Sequence, residues 1–238
     1  MAQCFLEALE IIRPDPSLKV VITKGEGLSF SAGLDLNYLH FLDHEPLRDF
    51  DRPAIPTRLV EVLPDFPRIM IAQVHGYCLG GSMALMNVHD LVIAADDAHI
   101  GMPEIPRGSF GEIATSTLFH AGIPLKKAAL IALTARNVSG VEAERLGLVS
   151  LSVPASELED RTNEIACQVA RNHLAPLQHH KIAVQMGRDR SLHDAIRLDQ
   201  LVGERMSLAV DPTADVEGWL RSQKGGSNET YQRPDANS

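Results

Sequence analysis

The alternation of apolar and polar residues divides the chain into short, unbroken apolar runs separated by stretches of helical period. The runs fall at 18–23 (LKVVIT), 69–74 (IMIAQV), 91–95 (LVIAA) and 148–153 (LVSLSV). Their β-branched character is that of strands buried on both faces. Between them, apolar residues recur with helical period at 58–63, 82–88, 126–134 and 141–146, which predicts helices. Ahead of the first run, Phe5, Leu6, Leu9 and Ile12 make one more helical face, ended by Pro14-Asp15-Pro16. Strands interleaved with helices predict an α/β fold with largely parallel pairing.

Beyond Ala155 the strand pattern stops. Helical patterns follow at 157–172, 176–187 and 192–209, with a short one at 215–221. The last stretch is rich in Gly, Asn, Gln and Ser and is expected to be mobile. The expected division is a core over 1–155, a helical C-terminal region over 156–221 and a mobile tail over 222–238.

Composition narrows the function classes. A chain of 238 residues, 45% hydrophobic and 22% charged, is globular, not disordered or fibrous. Its net charge of −9, from 22 Lys+Arg against 31 Asp+Glu, argues against a nucleic-acid partner. Cys4, Cys78 and Cys167 are scattered and lack ligand spacing, so reduced thiols are expected, with no disulfide framework and no metal site. No apolar run approaches the roughly 18–20 residues of a membrane helix. The N-terminus carries Glu7 and Glu10 and no basic leader. A cytoplasmic protein without a membrane partner is expected.

Two glycine turns follow strands. The first is Phe30-Ser31-Ala32-Gly33-Leu34-Asp35-Leu36, where small residues let the backbone approach a ligand and Asp35 is placed to cap a helix. The second is Gly76-Tyr77-Cys78-Leu79-Gly80-Gly81-Ser82, directly before an apolar helix. Amide N–H groups at a helix start have no intrahelical acceptor, so they favour an anion or a carbonyl oxygen that gains negative charge. Neither turn is a phosphate loop, because neither GxxxxGK[ST] nor GxGxxG occurs. Each alone is equally an ordinary strand-to-helix connection; the pair carries more information.

The string VVITKGEGLSFSAGLDL, followed by IAQVHGYCLGGSMALMNVHDLVIAADDAHIGMPEI, resembles the crotonase (enoyl-CoA hydratase/isomerase) superfamily. The likeness continues through Leu133-Thr134-Ala135-Arg136 and Ala143-Glu144-Arg145-Leu146-Gly147-Leu148-Val149, covering 18–155. It implies a crotonase-like spiral of repeated β-β-α units, of the ClpP/crotonase kind, with a helical C-terminal region. It also implies assembly as homotrimers or hexamers. Relative to the family pattern a β-hairpin is expected before the first helix, and this chain opens at that helix. In the family two backbone N–H groups hold the thioester carbonyl of an acyl-CoA. By the motif these fall on Leu34 and Gly81, with Ala32, Gly33 and Gly80 lining the substrate. No cofactor is implied beyond CoA as part of the substrate.

The acids depart from the family's hydratase pattern. The first hydratase glutamate, three residues after the oxyanion-hole glycine, is matched here by Ala84. The second is matched by Glu104 in Gly101-Met102-Pro103-Glu104. In an apolar acyl pocket a carboxyl pKa rises, which suits a base that takes a proton from carbon. Glu112 stands where hydratases usually have glycine and where isomerases and dehalogenases of the family have an aspartate. It reads equally as a second catalytic carboxylate or as a first-turn acid on a helix dipole. With one hydratase acid missing, the resemblance implies double-bond isomerisation through an enolate, with Glu104 and Glu112 as catalytic residues. Hydration is the second choice, with decarboxylation or hydrolysis open. A subunit that binds acyl thioesters or acts as a scaffold, without catalysis, is the reading from another class.

Leu28 and Asn37 occupy positions where the family often places basic residues for the nucleotide phosphates; Lys24 is close enough to substitute. An acyl-carrier-protein thioester therefore stays in play beside acyl-CoA. Among the 10 histidines, His75 reads as structural, and His179-His180 with Lys181 as a solvated or interface face. Tyr77 and Met83 read as packing residues, and Ser82 as a local donor or cap.

Overall fold

The computed structural model describes residues 1–35, 37, 55–208, 216 and 220. The polypeptide enters through α1 (Ala2–Ile12), whose buried residues are Leu6 and Leu9. Arg13 closes it by donating its N–H to Leu9 O, immediately before Pro14. Helix α2 (Ile55–Asp65) buries Leu59 and Leu63, and these join Leu6, Leu9, Phe66 and Met70 in one apolar cluster. Each such side chain contributes about 1.5–3 kcal/mol when fully buried.

Four strands, β1 (Val20–Lys24), β2 (Ile69–Val74), β4 (Leu91–Ala95) and β6 (Leu151–Val153), form a parallel sheet in the order β1-β2-β4-β6. Val20 lies opposite Ile69, Ile71 opposite Leu91, and Ile93 opposite Leu151. The apolar runs at 69–74 and 91–95 therefore match β2 and β4 residue for residue. Two others differ. β1 is the edge strand among the described residues and is only half-buried, so its run is not enclosed on both faces. β6 keeps only the last three residues of its run: Gly147 adopts φ 77° and Leu148 N–H closes back on Ala143 O.

A second parallel pair, β3 (Tyr77–Leu79) and β5 (His99–Gly101), is set in register by Tyr77 opposite His99. The chain therefore runs β2–β3–α3 and then β4–β5–α4, with α3 at Gly81–Asn87 and α4 at Glu112–Phe119. This is the repeated β-β-α unit expected from the resemblance. Helices α5 (Leu125–Thr134) and α6 (Gly140–Leu146) complete the cover. The main core lies around the sheets and includes Ile71, Val74, Met83, Met86, Ile93, Ile100, Leu118 and Ile131.

Residues Met1–Gln185 form one compact unit and Met186–Ser238 another. Within the first, α7 (Leu158–Ala170) packs on β1, β2 and β4, and α8 begins at Leu174 and runs to Gly187. In the second, α9 (Leu192–Ser207) starts at Ser191, whose Oγ accepts the Asp194 N–H at 3.2 Å. Apart from Val216 and Leu220, the pattern at 215–221 and the tail 222–238 lie outside the described residues. No helix among the described residues is long and apolar enough to cross a membrane.

Lys181 is not on a solvated face. It is buried, and its Nζ donates to Leu63 O at 3.1 Å, Arg68 O at 3.0 Å and Asp90 Oδ2 at 2.8 Å. Asp90 Oδ2 also accepts the Met70 N–H at 2.7 Å. Arg68 in turn donates to Arg13 O and Asp15 O at 2.9 and 2.8 Å. This network ties α8, the end of α2, the start of β2 and the exit of α1 together. Tyr77 also differs from its expectation as a packing residue. It is 48% exposed and stacks on His99 with ring centroids 5.1 Å apart.

Candidate functional site

The two glycine turns meet because parallel pairing carries both to the same end of the sheet. Phe30 N–H donates to His75 O at 2.8 Å, Ser31 N–H to Tyr77 O at 3.0 Å, and Leu79 N–H to Ser31 O at 3.1 Å. Ser31 and Cys78 thus form a parallel bridge beside β3. His75 supports the first turn from outside, with Nε2 3.0 Å from Gly27 O.

At the junction the backbones touch. Gly33 has φ 98°, and a Cβ there would stand 2.7 Å from Leu79 O and 3.5 Å from Gly81 N. A Cβ on Gly81 would lie 3.4 Å from Leu34 Cγ and 3.9 Å from Leu34 N. Only a residue without a side chain, at a positive φ, lets the first turn come this close to the second. Among the described residues, neither Leu34 N–H nor Gly81 N–H has an acceptor. Two amide donors from separate turns therefore lie side by side, the arrangement that stabilises an oxyanion. Ala32 and Leu34 are exposed and Gly33 half-buried. Asp35 Oδ1 accepts the Asn37 N–H at 2.9 Å.

Gly80 joins this turn to the acid. Its N–H donates to Gly101 O at 2.9 Å, at the end of β5, three residues before Glu104. Gly80 has φ 58°, and a Cβ there would be 2.5 Å from Glu104 Oε1. On the other side, a Cβ on Gly111 would lie 2.6 Å from Met102 Cε, 3.0 Å from Thr115 Oγ1 and 3.6 Å from the Glu104 carboxyl carbon. The carboxyl thus fills a slot kept open by two glycines. Its Oε2 is buried and has no hydrogen-bond partner among the described residues. Burial raises the Glu104 pKa above the usual carboxylate range, against the opposing pull of its own main-chain N–H and of Arg107. That is the direction expected of a base that acts on carbon.

Glu112 is the first residue of α4, is exposed, and has φ 37°. A non-glycine residue in this region is strained by about 1–2 kcal/mol, and such strain concentrates at functional sites. Its backbone follows Gly111, which borders the Glu104 carboxyl. Ala84 is fully buried within α3, and its N–H donates to Gly80 O at 3.3 Å. A methyl group there neither holds water nor moves a proton.

The remaining candidates have other surroundings. Lys24, the substitute phosphate contact, pairs with Glu159 at 3.1 Å, and Leu28 is exposed. Cys78 is buried and its thiol is pushed up to about 12 by burial, so it is inert at neutral pH. Ser82 does more than donate locally. It is buried and reaches both Leu79 O in its own turn and Ser31 O in the other. Met102 and Thr115 border Gly111 on the side of the acid, and no spacing in the sequence marks them.

A family model described as enoyl-CoA hydratase/isomerase matches residues 1–210. A (7aS)-7a-methyl-1,5-dioxo-2,3,5,6,7,7a-hexahydro-1H-indene-carboxyl-CoA hydrolase of Rhodococcus jostii is 30% identical over 157 residues, covering 66% of this chain and 59% of the relative. A probable enoyl-CoA hydratase of Mycobacterium bovis is 34% identical over 172 residues, covering 69% of this chain and 60% of the relative. The chain thus spans less than two thirds of the length of these relatives. An enoyl-CoA hydratase subunit of Geobacillus kaustophilus superposes with a TM-score of 0.83 at 23% identity, over 97% of this chain and 87% of its own. That likeness establishes the crotonase fold.

Proposed function

The chain belongs to the enoyl-CoA hydratase/isomerase family, and from that premise we propose that it isomerises the double bond of an acyl thioester through an enolate. The substrate is an unsaturated acyl-CoA or the corresponding acyl-carrier-protein thioester. Leu34 N–H and Gly81 N–H hold the thioester oxygen. Glu104 takes a proton from carbon, the electron pair moves into the thioester, and the oxygen becomes an enolate oxygen held by the two amides. The carboxylic acid so formed returns the proton further along the chain, with Glu112 as the assisting carboxylate. The double bond moves, and neither water nor a further reactant is consumed.

One observation carries this reading: the Glu104 carboxyl lies against the Gly80-Gly81 turn with Oε2 unpartnered, while Ala84 leaves the position of the first hydratase acid inert. Hydration needs one group to activate water and another to protonate carbon. Moving a double bond needs one carboxyl that accepts and returns a proton. The named oxyanion donors are each of a kind whose removal lowers rates about 10²–10³-fold.

The test is incubation of β,γ-unsaturated hexenoyl-CoA and the matching pantetheine thioester in heavy water, followed by mass spectrometry. Wild type, Glu104→Gln and Glu112→Gln are compared. Deuterium at carbon and a product of unchanged formula, both lost in Glu104→Gln, support isomerisation. A product heavier by one water identifies a hydratase, and free acid a hydrolase. Binding without exchange or turnover identifies a non-catalytic subunit.

A further inference from the structure

We propose that Ser82 is a positioning residue that sets the separation of the two oxyanion donors by clipping the glycine turns together; this rests on the acyl-thioester reading of the site. The Ser82 hydroxyl stands 2.7 Å from Ser31 O and 2.8 Å from Leu79 O, and the residue is only 4% exposed. Its two acceptors lie in different turns. Ser31 is three residues before Leu34, and Leu79 is two residues before Gly81. Sγ of Cys78, at 3.8 Å, completes its surroundings.

The backbone bonds between Ser31 and β3 fix the strands, but they stop at Leu79. Past that point the second turn passes through Gly80, at φ 58° and held by its N–H to Gly101 O, into α3, and no backbone bond among the described residues ties Gly80 or Gly81 to the first turn. Ser82 Oγ reaches from the first turn of α3, next to Gly81, back to the glycine turn that carries Gly33 and Leu34. One hydroxyl hydrogen lies between two carbonyl oxygens, so it donates to either or is shared. Either way a buried donor lies between the two carbonyls. Ser31 Oγ braces the same turn from inside by accepting the Gly33 N–H at 3.2 Å.

An oxyanion hole works through preorganisation, and its donors gain little if they must reorganise during the reaction. Loosening a donor pair, as distinct from deleting one member, is expected to lower kcat by about tenfold while KM stays within about twofold.

The experiment uses the full-length protein with hexanoyl-CoA labelled at the carbonyl carbon. Infrared difference spectra read the polarisation of the bound carbonyl, alongside exchange rates at the α-carbon and thermal melting. Ser82→Ala is expected to bind the thioester, lose exchange rate, and move the carbonyl band part-way back toward its free frequency. Ser82→Thr and Ser82→Val have the same shape and differ in the hydroxyl. Retention of band position and rate in Thr with loss in Val is the expected outcome of that pair. A Ser82→Ala protein with an unchanged band and rate overturns the proposal, even if it melts lower. Equal behaviour of the Thr and Val variants overturns it as well. A wild-type protein that shows no band displacement and no exchange overturns the acyl-thioester reading itself, and the inference falls with it.

Discussion

His89 provides a quantitative check on the fold that supports the site. It lies between α3 and β4, is 8% exposed, and is held at both nitrogens. Nδ1 is 2.8 Å from Leu85 O, and Nε2 is 2.9 Å from Thr23 Oγ1. A carbonyl only accepts, so Nδ1 carries the proton and Nε2 accepts from the Thr23 hydroxyl. Burial pushes the imidazolium pKa down to about 4 from 6.5, with the bond to Leu85 O opposing and the Lys181 charge assisting. The sign follows from linkage. Between pH 6.5 and about 4 the unfolded chain binds this proton and the folded chain does not, so stability is full above the window and falls as pH drops through it. At about 1.4 kcal/mol per pH unit the loss is about 3 kcal/mol, a large share of the roughly 5–15 kcal/mol that holds a domain folded. Urea unfolding from about pH 8 to about pH 4.5 measures it, with His89→Asn as the non-titrating comparison. Asn keeps a donor for Leu85 O, so the variant is less stable at high pH but the two curves converge as pH falls. Curves that stay parallel through the window, or an imidazole resonance of His89 titrating near its ordinary value, refute the argument.

Three further variants test the same structure. Lys181→Met leaves the half-buried Asp90 without its cation and takes the donor from Leu63 O and Arg68 O, so urea unfolding should show a loss of about 3 kcal/mol. Burial raises the Asp90 pKa and lowers that of Lys181 despite their attraction, so Lys181→Met/Asp90→Asn should recover about 1–2 kcal/mol of that loss. Gly80→Ala sets a Cβ 2.5 Å from Glu104 Oε1 at φ 58°. Melting should register a strain of about 1–2 kcal/mol, while α-proton exchange should fall about a hundredfold because the carboxyl proposed as the base is displaced.

How much of this was legible depends on the distance over which each feature is decided. β2, β4 and most helices are written locally, in runs long enough for their period to show. β3 and β5 are three residues each and end or begin at glycines, too short for alternation to register. Lys181 reads as a surface residue because its partner Asp90 is 91 positions away. The glycine turns were visible individually, but their convergence depends on the parallel pairing of strands far apart in sequence. The role expected of Glu104 came from resemblance. Its unpartnered oxygen and the slot between Gly80 and Gly111 belong to the three-dimensional structure alone.

The departure at Ala84 gains its meaning from what surrounds it. Ala84 is fully buried in α3, one turn beyond Gly81, and α3 packs against α4 and α2. A methyl group at that position offers a bound water no polar partner. Of the two acid positions in the family's hydratase pattern, only that of Glu104 carries a carboxyl here, and Glu112 begins α4 beyond it. Hydration requires the site to hand over a hydroxide and a proton to two different carbons. A site with one inert position is poorly equipped for that division of labour. Isomerisation leaves the proton count unchanged, so a single carboxyl with raised proton affinity can hold what it has taken until the enolate accepts it again. Glu104 is half-buried, with Oε2 shielded from solvent, and that burial raises its pKa. In the proposed isomerisation, the alanine at position 84 and the raised pKa of Glu104 belong to one chemistry.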